Sequence, residues 1–142
     1  MITIDCARAL QEAGLRWRPA SGDSFSIVRP GFDSDVFTVS EMTIEAHEFD
    51  TGTILGFNGT TEWALDSLAL EDALWLPRED QLRGLLGGTF RSLQRQADGG
   101  YRVSVCVAGV DEEFDAPTAE DAYGSALLML IGRAGASLAR PA

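Results

Sequence analysis

Lysine is absent from this sequence and histidine occurs once, at His47. Every permanently charged basic side chain is therefore an arginine. Without lysine, the glycine-bearing stretch 52–59 lacks the side chain that a nucleotide phosphate loop sets beside its phosphates. Cysteine is scarce too, with Cys6 and Cys106 far apart in the chain. One histidine and two distant cysteines do not supply the three or four protein ligands of a zinc site. The same two cysteines make no disulfide framework and read as thiols of a reducing compartment. No serine sits in the G-x-S-x-G elbow of a hydrolase nucleophile. No apolar run approaches the roughly 20 residues that span a bilayer, and no basic run followed by an apolar stretch marks a signal peptide. The localisation expected is cytoplasmic.

What is present in excess is acid. Twenty-two Asp and Glu stand against eleven arginines, a formal net charge of −11. Residues 1–76 hold thirteen acids and four arginines, net −9, and residues 77–142 hold nine and seven, net −2. Such a field repels nucleic-acid phosphates and anionic lipid and attracts basic proteins. The partners expected are a basic protein or a second copy of the chain, with neither nucleic acid nor membrane. The absence of lysine itself reads as a coding bias. The hydrophobic fraction, 45%, is the ordinary globular level and supports a real core.

The apolar periodicity divides the chain clearly. Residues 3–13 have a helical stripe through Cys6 and Leu10, a cap at Thr3 and a left-handed stop at Gly14. Residues 16–22 read as a linker anchored by Trp17. Strands follow over 24–28 and 35–39, and Met42, Ile44 and Ala46 alternate against Glu41, Thr43, Glu45 and His47. Turns are expected at Pro30-Gly31, at Asp50-Thr51-Gly52 and at Asn58-Gly59 within the hairpin 54–65. Residues 66–75 fit either a helical turn or a strand. Pro77 suits the first turn of a central helix that ends at Gly87-Gly88. Strands over 89–96 and 101–107 flank a turn at 97–100, and 111–115 forms an acidic edge strand. Thr118 and Asp121 nearly match a capping box ahead of the last helix.

The fold class expected is α+β, with antiparallel sheets, an N-terminal, a central and a C-terminal helix. It forms one domain over 1–142 or two packed halves, 1–76 and 77–142, the second ordered α-β-β-β-α. That order is shared with double-stranded-RNA-binding domains, but the segment has no lysine to face phosphates.

Two sets of residues are candidates for function. His47 alternates with Glu45 on a strand, and Asp33 and Asp35 complete a carboxylate set for a small metal-dependent hydrolase. Solvated strand positions explain the same residues. Trp17, Trp63 and Trp75 are the alternative, since tryptophan anchors many protein interfaces. Nothing in the chain calls for a cofactor, a bound metal or a catalytic residue.

The segments 60–67 (TTEWALDS) and 73–86 (ALWLPREDQLRGLL), with Glu120-Asp121-Ala122-Tyr123-Gly124, resemble a family of small uncharacterised actinobacterial proteins over nearly the whole chain. Members are sometimes labelled pilus assembly proteins. The ATPase of that name resembles the MinD-type ATPases, and this chain is shorter than that fold and lacks its phosphate loop. Some phage-encoded proteins are similar around Leu74-Trp75-Leu76-Pro77. Neither resemblance implies an activity or functional residues. The function expected is a non-enzymatic protein-binding or adaptor domain, with the tryptophans and the 111–115 edge as contacts. The alternatives are the hydrolase and a structural, oligomer-forming protein with paired sheet edges.

Overall fold

A computed structural model describes residues 1–28, 35–39, 44–49, 52–57, 67–69 and 72–139, and within 44–69 and 135–139 only the backbone. The turns expected at Pro30-Gly31, Asp50-Thr51 and Asn58-Gly59, and the candidates Asp33 and Trp63, lie outside the described residues. The fold is α+β as expected, with three α-helices and three antiparallel three-stranded sheets among the described residues. The chain forms two compact units, Met1–Arg16 with Pro77–Ala142, and Trp17–Leu76. The N-terminal helix belongs with the segment that starts at Pro77.

In the first unit, α1 (Ile4–Glu12) begins at Thr3, whose hydroxyl accepts the Cys6 N–H at 3.2 Å. It ends at Gly14, φ 110°, where the Leu15 N–H folds back to the Leu10 carbonyl. Helix α2 (Glu79–Leu86) starts two residues past Pro77, which precedes the N-cap Arg78 instead of opening the first turn. Gln81 caps it by accepting the Arg78 N–H at 2.9 Å. After a 3-10 turn, β7 (Phe90–Arg95), β8 (Tyr101–Val107) and β9 (Val110–Ala116) form a sheet in that order. Helix α3 (Ala119–Ala139) packs on α1, on α2 and on strands β8 and β9. Neighbours on several sides explain why its apolar residues are not confined to one stripe. Leu82, Leu86, Val103, Val105, Ala122, Tyr123 and Ala126 make this core.

The starts of α1 and α3 are tied together, the N-terminal ammonium pairing with Glu120 at 3.2 Å. The Thr118 hydroxyl accepts the Asp121 N–H at 3.2 Å, the first half of the expected capping box. The Asp121 carboxylate accepts the Thr3 N–H at 2.9 Å and so caps the neighbouring helix. Gly124 lies where the two helices meet, and a Cβ there would overlap the Cys6 sulfur. Cys6 is half-buried, and burial together with Asp121 pushes its thiol up to about 11. Gly124→Ala is therefore expected to destabilise the protein despite alanine's better helix propensity, because overpacking costs about 1–3 kcal/mol against a gain of about 1. In Gly124→Ala/Cys6→Ala the clash is removed and the propensity gain remains. Thermal melts should place the double variant above the Gly124 single variant, and a further fall would defeat this account.

In the second unit, β1 (Ser24–Ile27) lies between β2 (Phe37–Thr38) and β6 (Ala73–Leu76). The ambiguous segment 66–75 thus contains strand, with β5 (Ser67–Ala69) and the start of β6. Strand β4 (Gly52–Phe57) pairs on one side with β3 (Ile44–Phe49) and on the other with β5. The core contains Trp17, Phe25, Ile27, Val39 and Ala73, with Phe37 and Trp75 packed against it. Phe25 lies between two rings, 5.3 Å from Trp17 and 5.6 Å from Phe37.

Candidate functional site

The hairpin β8–β9 turns through Ala108 and Gly109, at φ 51° and 79°. Positive φ at both residues is the type I′ geometry, whose twist matches the flanking strands. Such a two-residue loop makes the residues beside it, Val107 and Val110, a hydrogen-bonded pair, and paired and unpaired positions then alternate. The register runs without a shift from Val107↔Val110 to Tyr101↔Ala116. Glu112, Phe114 and Ala116 therefore turn their main-chain N–H and C=O groups toward β8. Asp111, Glu113 and Asp115 turn theirs away from it. Strand β9 has one sheet neighbour, and no backbone hydrogen bond joins these three acids to any other element among the described residues.

The side chains of the same three residues are exposed. They share the outer face of the sheet with Ser92, Gln94, Arg102, Ser104 and Cys106. Arg102 stands opposite Asp115 and donates from Nε and Nη2 to its two oxygens, at 2.7 and 2.9 Å. Its Nη1 lies 3.4 Å from Glu113. The Arg102 guanidinium accordingly holds the Asp115 carboxyl below its ordinary range. Asp111 and Glu113 remain as the acids that Arg102 leaves wholly or largely uncompensated. On the inner face Arg133 pairs with Glu112, and Phe114 is half-buried. An open depression of about 720 Å³, lined by residues 96–102 and 115–117, adjoins the Asp115 end. Pro117 follows the strand and has no N–H to extend the ladder.

The opposite edge is built differently. Strand β7 breaks register between Phe90 and Ser92, and Arg91 in that bulge folds back to the carbonyls of Gly88 and Phe90. A bulge twists an edge away from incoming strands. Strand β9 has no such device, only charge.

The described residues singled out from sequence lie on several elements of the second unit. Glu45 and His47 occupy one face of β3, opposite Gly56 and Ile54 on β4. Asp35 is exposed ahead of β2. Trp17 is 8% exposed and donates its ring N–H to Asp23 at 3.0 Å, which ties it into the second unit's core. Trp75 pairs with Phe25 and is half-buried, its ring nitrogen enclosed without a partner among the described residues. Among the residues whose side chains are described, which leaves out Glu45 and His47, no group of His, Cys, Asp or Glu is arranged to hold a metal ion. No helix among them is long and apolar enough to cross a membrane. The residue that sequence reasoning passed over is Arg102. Counting outward from the Ala108-Gly109 turn puts it opposite Asp115, so the turn was the available signal.

No protein-family model matches the chain, and neither curated proteins nor solved structures offer a match.

The Arg102–Asp115 pair gives a pH prediction. Since the folded Asp115 value is depressed, the pair's stabilisation is present above the ordinary aspartate range near ~3.9 and is lost as pH falls through the lower folded value. A carboxyl NMR titration should find Asp115 below that range in the wild type and returned toward it in Arg102→Gln. An Asp115 midpoint that does not move on substitution would remove Arg102 as the cause.

Proposed function

We propose that this chain is a non-enzymatic protein-binding domain that accepts an extended basic segment of its partner as an added strand along β9. The observation that carries it is the seven-residue, bulge-free edge on which Asp111, Glu113 and Asp115 turn their main-chain groups away from β8 and hold exposed carboxylates on the outer face. An unpaired edge is a template for another strand, and proteins blunt it with charge. Acid on β9 repels a second β9, and the same charge attracts a basic segment. Main-chain hydrogen bonds then supply affinity, while carboxylates supply selection and rate of encounter. Two free cysteines support a reducing, cytoplasmic setting for this activity. The actinobacterial resemblance adds no activity to the reading.

Titration calorimetry with arginine-containing peptides tests it. Binding is expected at low salt and should weaken as salt rises. Asp111→Asn/Glu113→Gln should lose at least about tenfold in affinity, since two charge pairs are removed. No heat from any basic peptide, or unchanged affinity in that variant, would refute the assignment.

A further inference from the structure

We infer that the β9 edge selects a partner strand with the pattern neutral-x-basic-x-basic, read from its N-terminus, the basic residues falling opposite Glu113 and Asp111. The inference rests on the protein-binding reading and specifies its ligand. Every described strand pair in this protein is antiparallel, and an antiparallel addition to β9 continues the sheet. The added strand must hydrogen-bond to the main chain of Asp111, Glu113 and Asp115, the residues whose groups point outward. Its residues directly opposite those three then lie on the outer face, with Cβ atoms about 4.5–5.5 Å from theirs. Residues two apart in the partner therefore meet acids two apart in β9. Intervening residues fall on the inner face, level with Glu112 and Phe114. One Glu112 oxygen accepts from Arg133, the other is enclosed where an incoming side chain does not reach it, and Phe114 is half-buried, so that row favours apolar over basic side chains.

The three outer positions are not equivalent. Arg102 fills both oxygens of Asp115 and presents its own positive charge there. A basic partner residue opposite Asp115 would meet a neutralised carboxylate and a like charge. Glu113 is only partly engaged, at 3.4 Å, and Asp111 forms no ion pair among the described residues. The preference for a basic residue thus rises from Asp115 toward Asp111. Arg102 acts here as a specificity residue that cancels one of three otherwise similar positions.

The test uses capped peptides and the whole chain. Thr-Ser-Val-Arg-Val-Arg-Thr should bind at least about tenfold tighter than its isomer Thr-Arg-Arg-Val-Val-Ser-Thr, which has the same charge without the alternation. N-methylation of both arginine amides in the first peptide should abolish that advantage in wild-type protein, where no variant has to fold. Replacing its Ser by Arg should add little affinity to the wild type but should add several-fold to Arg102→Gln. Glu113→Pro removes an outward N–H and no bond to β8, so it should weaken binding beyond Glu113→Gln. Equal binding of the two isomers would overturn the pattern and leave charge-driven protein binding standing. Failure of both peptides, and of longer basic peptides, would remove the broader reading as well. Self-association of the unliganded chain that Glu113→Pro abolishes would give the edge to a second copy and overturn the basic segment as occupant.

Discussion

Replacement of Tyr123 by alanine is expected to lower the stability of the first unit by about 3–5 kcal/mol, the usual cost of truncating a fully buried aromatic. Tyr123 has no exposed surface and stacks on Phe90 with ring centroids 5.7 Å apart. It projects from α3 toward α2, where its hydroxyl donates to Glu79 at 3.4 Å. Burial first, and the Glu79 charge second, raise its phenol above the ordinary value. The ring thus joins the terminal helix to the central helix and to β7. Tyr123→Phe keeps the packing and loses the hydroxyl's hydrogen bonds with Glu79 and Arg83, so it should cost only about 1–2 kcal/mol. All three described helices belong to this unit, so helical circular dichroism reports on it directly. Domains have about 5–15 kcal/mol of stability to lose, so Tyr123→Ala should leave this signal weak or absent at 37 °C. Similar melting of the Phe and Ala variants would show that the ring is not the link.

The second half was legible because its signals agree with one another. A cap at Thr118, a turn at 97–100 and alternation through Val103 and Val105 all point the same way, and the structure places α2, three strands and α3 in that order. The placement of α1 was not legible. Its stripe shows that it packs, but not on what. The partner is chosen by Gly124, a residue that in sequence is merely an interruption of a helix, and by an Asp121 carboxylate that leaves its own cap for Thr3. The edge strand was read from its acids. Its orientation was not, because the parity of its hydrogen bonds depends on the turn at Ala108-Gly109 and needs the positive φ of both residues.

Charge bookkeeping by halves also concealed the site. Residues 77–142 are net −2, close to balance, beside −9 for residues 1–76. Within the nearly balanced half the signs are segregated. Four acids occupy β9, while Arg91 and Arg95 lie on β7 at the far edge. Each edge repels its own image, and only β9 is regular enough to take another strand. A nearly neutral total is therefore compatible with a strongly acidic line, and that line is what the proposed partner strand would meet.

Loss of the Asp23 carboxylate should unfold the second unit more readily than any conservative change to its aromatic rings. Asp23 is 3% exposed, and one oxygen accepts both the Trp17 ring N–H at 3.0 Å and the Ala20 N–H at 3.1 Å. Its own main chain ties the same loop to the residue that follows β2, since the Asp23 carbonyl accepts the Val39 N–H at 2.8 Å. In Asp23→Ala two donors lose their acceptor, one of them buried, and each such loss costs about 1–3 kcal/mol. Asp23→Asn retains an oxygen in the same place and should lose much less. Trp17→Phe removes the ring donor but leaves the ring packing and the Ala20 bond, and should fall between them. All three tryptophans lie between Trp17 and Leu76, so their emission follows this unit. The melting midpoint by tryptophan emission should fall by more than about 10 °C in Asp23→Ala, at roughly 4–8 °C per kcal/mol for a unit of this size. If Asp23→Ala and Asp23→Asn melted together, the carboxylate oxygen would not be the element that fastens Trp17 over Phe25, and packing of the rings alone would have to account for the burial of both.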